Sequence, residues 1–193
     1  VKEGEGHLLG SLETANEGGL LRLMPMIPLE LGKIHQRRGQ YNEAAEAFTH
    51  SFDLGRERGD AQVELESRRR LASIWIHKGN FAKALEELEA ELPKVKAIED
   101  PGLVARYLND MGIVYNKLGR CDDALATYEE SLRLKQDLGD RRAVEITLGN
   151  LAEVHMAMRE HERAEERLKQ ALKMAREIGD RLGVAVNLHN LGV

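Results

Sequence analysis

Met111-Gly112-Ile113-Val114-Tyr115-Asn116-Lys117-Leu118-Gly119, running on through Ala124 and Tyr128 to Ser131, decides how this chain folds. An apolar residue, a small residue, an aromatic three positions later, a Gly, an Ala, a second aromatic and a final small residue follow one another at three- to five-residue steps. Displaced by forty residues in either direction, most of these positions reappear. Gly59-Asp60, Gly139-Asp140 and Gly179-Asp180 mark the period, Glu99-Asp100 fills the missing place, and Gly19 lies one period upstream. A fixed repeat of this length means stacked units that share their cores with neighbours.

Counting each repeat from its Asp as slot one, slot twelve reads Leu31, Leu71, Met111, Leu151 and Leu191. Slot thirteen is small throughout, as Gly32, Ala72, Gly112, Ala152 and Gly192. Slot sixteen is a flat ring, His35, Trp75, Tyr115 and His155. Slot twenty is Gly39, Gly79, Gly119 and then Arg159. Slot twenty-five is always Ala (Ala44, Ala84, Ala124, Ala164), and slot twenty-nine is large, with Phe48, Leu88, Tyr128 and Leu168. Slots five, nine, twelve and sixteen share one helix face; slots twenty-five, twenty-nine, thirty-three and thirty-six share the face of a second helix. The Gly between them suits a left-handed cap, and the slot-one Asp suits an N-cap. Each repeat therefore reads as helix, turn, helix, turn. Helices are expected at about 22–38, 41–57, 60–78, 81–97, 101–118, 122–137, 141–158 and 162–177, with a partial helix at each end.

These columns resemble the tetratricopeptide repeat. Residues 111–131 carry that family's pattern in full, and Leu148-Gly149-Asn150 with Gly139-Asp140-Arg141 is similar to its forty-residue variant. That variant is found in Leu-Gly-Asn repeat adaptors, kinesin light chains and bacterial signalling regulators. The resemblance implies an all-α fold, a right-handed α-solenoid of antiparallel helix pairs, and an array that binds peptides or other proteins. The expected organisation is a single array: a half repeat over 1–19, four repeats over 20–59, 60–99, 100–139 and 140–179, and a partial fifth over 180–193. Because the repeat runs off both ends, a piece of a longer array is expected. Apolar residues at its ends, among them Leu8, Leu12, Leu188 and Leu191, point to end-to-end self-association.

Composition narrows the function. A net charge of −5 and 4% aromatics give no footprint for nucleic acid. No apolar run reaches the length of a membrane span. A single Cys, Cys121, rules out an internal disulfide and suits a reducing, cytoplasmic setting. The histidines show no helical ligand spacing, so neither a metal nor another cofactor is expected. The glycines are spaced by the repeat and form no phosphate loop. Pro25, Pro28 and Pro93 are expected to delay, kink or shorten their helices, and Arg159 to sit at an unusual turn. Glu86, Glu87, Glu89 and Glu91 read as a solvated outer face.

No catalytic constellation appears, and the chain reads as a non-enzymatic interaction module. In the family it resembles, slots seven, ten, eleven, fourteen, seventeen and eighteen line a concave groove. Here they supply Lys33, Arg37, Arg69, Arg70, His77, Arg106, Asn109, Asn116, Lys117 and Asn150. The Asn amides suit an extended peptide backbone, and the cations suit a protein or peptide partner with acidic residues. Arg69, Arg106 and Lys117 are expected to converge as exposed charges. The two-carboxylate clamp of the chaperone-tail binders, Lys and Asn at slots ten and fourteen, is not matched. Repeat four turns apolar, with Ile146 and Met156 in these slots. The alternative reading is a sensor or oligomerisation segment of a larger signalling protein, such as an ATPase-type regulator, a cyclase or a transcription factor.

Overall fold

A computed structural model describes residues 24–192. Among them every regular element is an α-helix: α1 (Met26–Arg37), α2 (Tyr41–Arg58), α3 (Ala61–His77), α4 (Phe81–Ala97), α5 (Pro101–Lys117), α6 (Cys121–Asp137), α7 (Arg141–Ala157), α8 (His161–Glu177) and α9 (Arg181–Leu191). The helices fall within a residue of the sequence expectation except at the start of α1. The half repeat expected over 1–19, with Leu8 and Leu12, lies outside the described residues.

The repeating Asp sets the start of each first helix. The side chains of Asp60, Asp100, Asp140 and Asp180 accept from the backbone N–H three residues on, at 2.9–3.1 Å. Each bond satisfies one of the orphan donors that open a helix. Pro101 occupies the first turn of α5, where its missing N–H is not needed. Pro28 likewise falls in the first turn of α1, which begins only at Met26. Pro93 lies inside α4 without ending it: the helix continues past it to Ala97, over the span expected from the sequence, so it does not shorten the helix.

Two compact units are formed, up to Ile98 and from Glu99 onward. In the first, α1 to α4 pack in chain order around Leu29, Ala44, Phe48, Val63 and Ile74. In the second, α5 to α9 do the same around Tyr107, Leu108, Tyr128, Leu151 and Val154, each almost wholly buried. This sequential packing of antiparallel pairs is the order of an α-solenoid.

The crossing within a pair depends on a small residue under a large one. A Cβ on Gly32 would stand 2.5 Å from the Phe48 ring, and one on Gly112 would stand 2.7 Å from the Tyr128 ring. Ala124, at the start of the second helix of the same pair, is wholly buried. A hydroxyl ties the pair as well. Ser51 donates to the Pro25 carbonyl at 2.7 Å, and Ser131, at the same slot one unit on, donates to the Ala105 carbonyl at 2.7 Å. Repeat two has Glu91 at this slot, which corrects the reading of its acidic stretch. Glu91 is buried, accepts from Lys94 at 2.8 Å and lies 4.0 Å from Arg68. Arg68 in turn reaches Glu87 at 3.2 Å and covers the Phe52 ring at 4.2 Å.

The slot-sixteen rings are fixed from slot twenty-one or beyond. His155 Nδ1 donates to Glu160 at 2.8 Å, and His35 Nδ1 to Gln40 at 3.1 Å. Where the ring is Tyr115 or Trp75 a cation lies over it instead, Arg120 at 4.5 Å and Lys83 at 4.0 Å. The His155 bond, helped by Arg163, holds the Glu160 carboxyl below its usual range. A lowered carboxylate stabilises the fold above its unfolded pKa and loses that effect as pH falls through the lowered value. Glu160→Gln is therefore expected to narrow the difference in melting temperature between neutral and acid pH by lowering the melting temperature at neutral pH and leaving it unchanged at acid pH.

Arg159 takes φ +63°, the left-handed conformation that Gly119 adopts at the same slot. A side chain there is strained by roughly 1–2 kcal/mol. Arg159→Gly is expected to raise stability by about 1 kcal/mol, measured as a higher urea midpoint at unchanged slope.

Candidate functional site

The outward face of each first helix carries the residues singled out by the sequence, and the two units treat them differently. In the first unit much of the polar chemistry is spent internally. Lys33 donates to Glu30 one turn back at 2.6 Å. Gln36 on α1 donates to Ser73 on α3 at 2.8 Å. Arg69 is only 5% exposed, and its guanidinium forks onto Glu66 at 2.8 and 3.1 Å. Arg70 reaches the same carboxylate at 2.9 Å. The expectation of an exposed Arg69 is thus corrected: a one-turn spacing from Glu66 lets a planar guanidinium close on the carboxylate along the helix. Charge reversal at Arg69 tests stability as much as binding. His77 is exposed and stacks on Tyr41, ring centroids 5.1 Å apart. Arg37 is exposed, with no ion pair among the described residues.

In the second unit the amides are positioned from behind. Lys135 on α6 is buried, and its ammonium donates to Asn109 Oδ1 on α5 at 2.9 Å and to the Thr147 hydroxyl on α7 at 2.6 Å. The Thr147 hydroxyl in turn donates to the Ala143 carbonyl at 2.8 Å. Asn150 Nδ2 approaches Asn109 Oδ1 at 3.5 Å. Asn109 and Asn150 are thereby brought together, half-buried, with the Asn109 oxygen turned inward. Asn116 is half-buried, and Arg106 and Lys117 are exposed on the same helix.

Between α7 and α9 lies a cleft of about 240 Å³. Ile146 and Val186, each 48% exposed, give it apolar walls, and Asn150 and Asn190 give it amides. Gly149 and Gly183 leave room where side chains would otherwise meet. Its carboxylates are Glu145, buried and bonded to the Asn187 amide at 2.5 Å, the exposed Glu153, and Asp180, the half-buried N-cap of α9. Negative potential reaches inward from here. Burial, reinforced by Glu153 and Asp110, pushes the Tyr128 phenol far above its usual range, so it stays protonated.

Sequence reasoning named Asn109 and Asn150 but missed Lys135, Thr147, Glu145 and Asn187. The signal was present in the columns. Slot thirty-six is Gly55, Val95 and Ala175 elsewhere, and slot six is Leu65, Ala105 and Ala185 where repeat four has Glu145. A charge in an apolar column marks a buried polar contact. Among the described residues no cluster of His, Cys, Asp or Glu is placed to hold a metal ion. No described helix is long and apolar enough to cross a membrane.

The chain resembles known proteins at several levels. A model of the tetratricopeptide repeat matches residues 64–137 and 143–193, more than half of the chain, and one of anaphase-promoting complex subunit 5 matches residues 13–68. The 43 kDa receptor-associated protein of the synapse from Gallus gallus is 26% identical over 163 residues, which are 76% of this chain and 36% of that protein. The chain spans about a third of the length of the curated relatives it matches. Among solved structures, NprR in complex with its cognate peptide NprX superposes with a TM-score of 0.78 at 20% identity, over 97% of this chain and 56% of that one. A signal transduction ATPase with a tetratricopeptide repeat sensor, from Pyrococcus horikoshii, superposes with a TM-score of 0.73 at 16% identity, over all of this chain and 33% of that one. Both are likenesses of fold. With its repeat columns, its helix pairs and a family model over most of its length, the chain belongs to the tetratricopeptide repeat family.

Proposed function

We propose that the chain is a non-catalytic interaction module that holds a segment of another protein against the first-helix faces. The observation that carries this reading is the α7–α9 cleft, where apolar side chains stand exposed beside the Asn150 amide, itself directed to Asn109. Exposed apolar walls with a few fixed polar groups are what a peptide-binding surface requires. Arg37, Lys117 and Asn116 extend the surface within their own units. The acidic partner expected from the sequence would have to rely on Arg37 in the first unit or Lys117 in the second, since Glu66 already takes Arg69 and Arg70.

A peptide-display selection on the 193-residue chain tests the reading. Selected binders are expected to lose affinity by roughly tenfold or more when Ile146→Asp or Asn150→Ala is introduced, with helical circular dichroism unchanged. Failure to select any binder, or binders indifferent to both substitutions, sinks it.

A second reading keeps the array as the sensor or oligomerisation segment of a larger signalling protein. The internal commitment of Arg69 and Arg70 favours it by shrinking the free cationic surface. The structural likeness to an ATPase with a sensor of this kind is compatible with it. A nucleotide-binding or DNA-binding neighbour in the parent reading frame would decide for this reading.

A further inference from the structure

The α7–α9 cleft holds more negative charge than the chain answers. Glu145 is 5% exposed, and among the described residues its side chain's only hydrogen bond is from the neutral amide of Asn187. That amide is fully spent, since it also donates to the Gly183 carbonyl at 2.8 Å. No cation among the described residues pairs with Glu145. Two turns along α7, on the same face, Glu153 is exposed and likewise unpaired among the described residues. The cleft's own cation, Arg142, stands at the rim with its guanidinium 3.6 Å from Asp180, so these two offset each other. Glu145 and Glu153 remain, on the order of 12 Å apart by helical rise, with Gly149 between them and Ile146 and Val186 alongside. A carboxylate removed from water without a counter-ion is unfavourable and is relieved by any cation brought to it.

We propose that the cleft between α7 and α9 takes a partner segment in which Lys or Arg stands beside an apolar side chain. The cation meets Glu145 and Glu153, the apolar group lies on Ile146 and Val186, and Asn150 and Asn190 bond the segment's backbone. The proposal rests on the interaction-module reading and reverses, for this cleft, the sign of partner read from the Arg and Lys residues of the first helices. Charge complementarity at an otherwise apolar cleft acts on both specificity and association rate.

Three labelled peptides, alternating Leu with Arg, Leu with Glu and Leu with Gln, are titrated into the full chain by fluorescence anisotropy. The Leu–Arg peptide is expected to bind with an affinity that falls as salt rises. Glu153→Lys is expected to weaken it by roughly tenfold and Glu145→Gln by several-fold, at unchanged helicity; the Gln side chain can keep the bond from Asn187. Equal or tighter binding of the Leu–Glu or Leu–Gln peptide overturns the charge assignment and leaves the module reading standing. Leu–Arg binding that ignores both Glu153→Lys and Ile146→Asp shows adsorption elsewhere and also overturns it. If none of the three binds, the inference fails and the display selection separately decides the module reading. Dimerisation that Glu153→Lys abolishes, seen by sedimentation, would assign the cleft to a second copy and overturn the proposal.

Discussion

Ala124→Arg is expected to destabilise the second unit by on the order of 3 kcal/mol. Ala124 is wholly buried in the first turn of α6, where its N–H already bonds the Arg120 carbonyl at 3.0 Å. A long side chain there must either bury its guanidinium without a counter-ion or push α6 away from α5 to reach water. Both routes cost free energy: the first through desolvation, the second through lost packing around Tyr128 and Met111. Urea denaturation followed by circular dichroism measures the effect. An unchanged midpoint would mean that the column of alanines does not mark the helix crossing.

Gly112→Ala is the second large effect, and its sign is not obvious. In an open helix the change would stabilise by nearly 1 kcal/mol through propensity. Here the new methyl would stand 2.7 Å from the Tyr128 ring, and that ring is 2% exposed, so it cannot yield by swinging out into solvent. Overpacking is expected to win, for a net loss of about 2 kcal/mol. The test lies in the partner. Slot thirteen is Gly where slot twenty-nine is Phe48 or Tyr128, and Ala where slot twenty-nine is Leu88 or Leu168. Combining Gly112→Ala with Tyr128→Leu should therefore cost about 1 kcal/mol less than the two changes summed. Strict additivity would break the proposed contact.

The helix pairs were legible because each column repeats the same physical demand. An Asp that caps, a Gly or Ala that allows a crossing and a large residue that fills it recur four times, and repetition turns weak local signals into a register. What remained hidden was pairwise. The column of small residues and the column of large ones were each visible, but their alternation, Gly with aromatic and Ala with Leu, requires knowing that the two slots touch. Arg69 was read as exposed from its slot alone, although Glu66 one turn before it was the counter-signal. Glu91 was misread for the opposite reason: its neighbours are solvent-facing, and only the equivalence of its slot with Ser51 and Ser131 betrays its burial. Lys135 and Glu145 break apolar columns, so averaging over repeats removed the departures that mattered at the cleft.

Lys135 also bears on how this array comes apart. In a linear stack, unfolding starts as fraying at an end and advances one junction at a time, halting wherever neighbours hold each other most strongly. The ammonium of Lys135 reaches from the second helix of one repeat to Asn109 on its own first helix and Thr147 on the next repeat's, so three helices share one buried contact. Gly55, Val95 and Ala175 provide no such link at their junctions. A front moving back from α9 should therefore stall at α7, and α5 to α7 should exchange their amide hydrogens with solvent as one block rather than in succession.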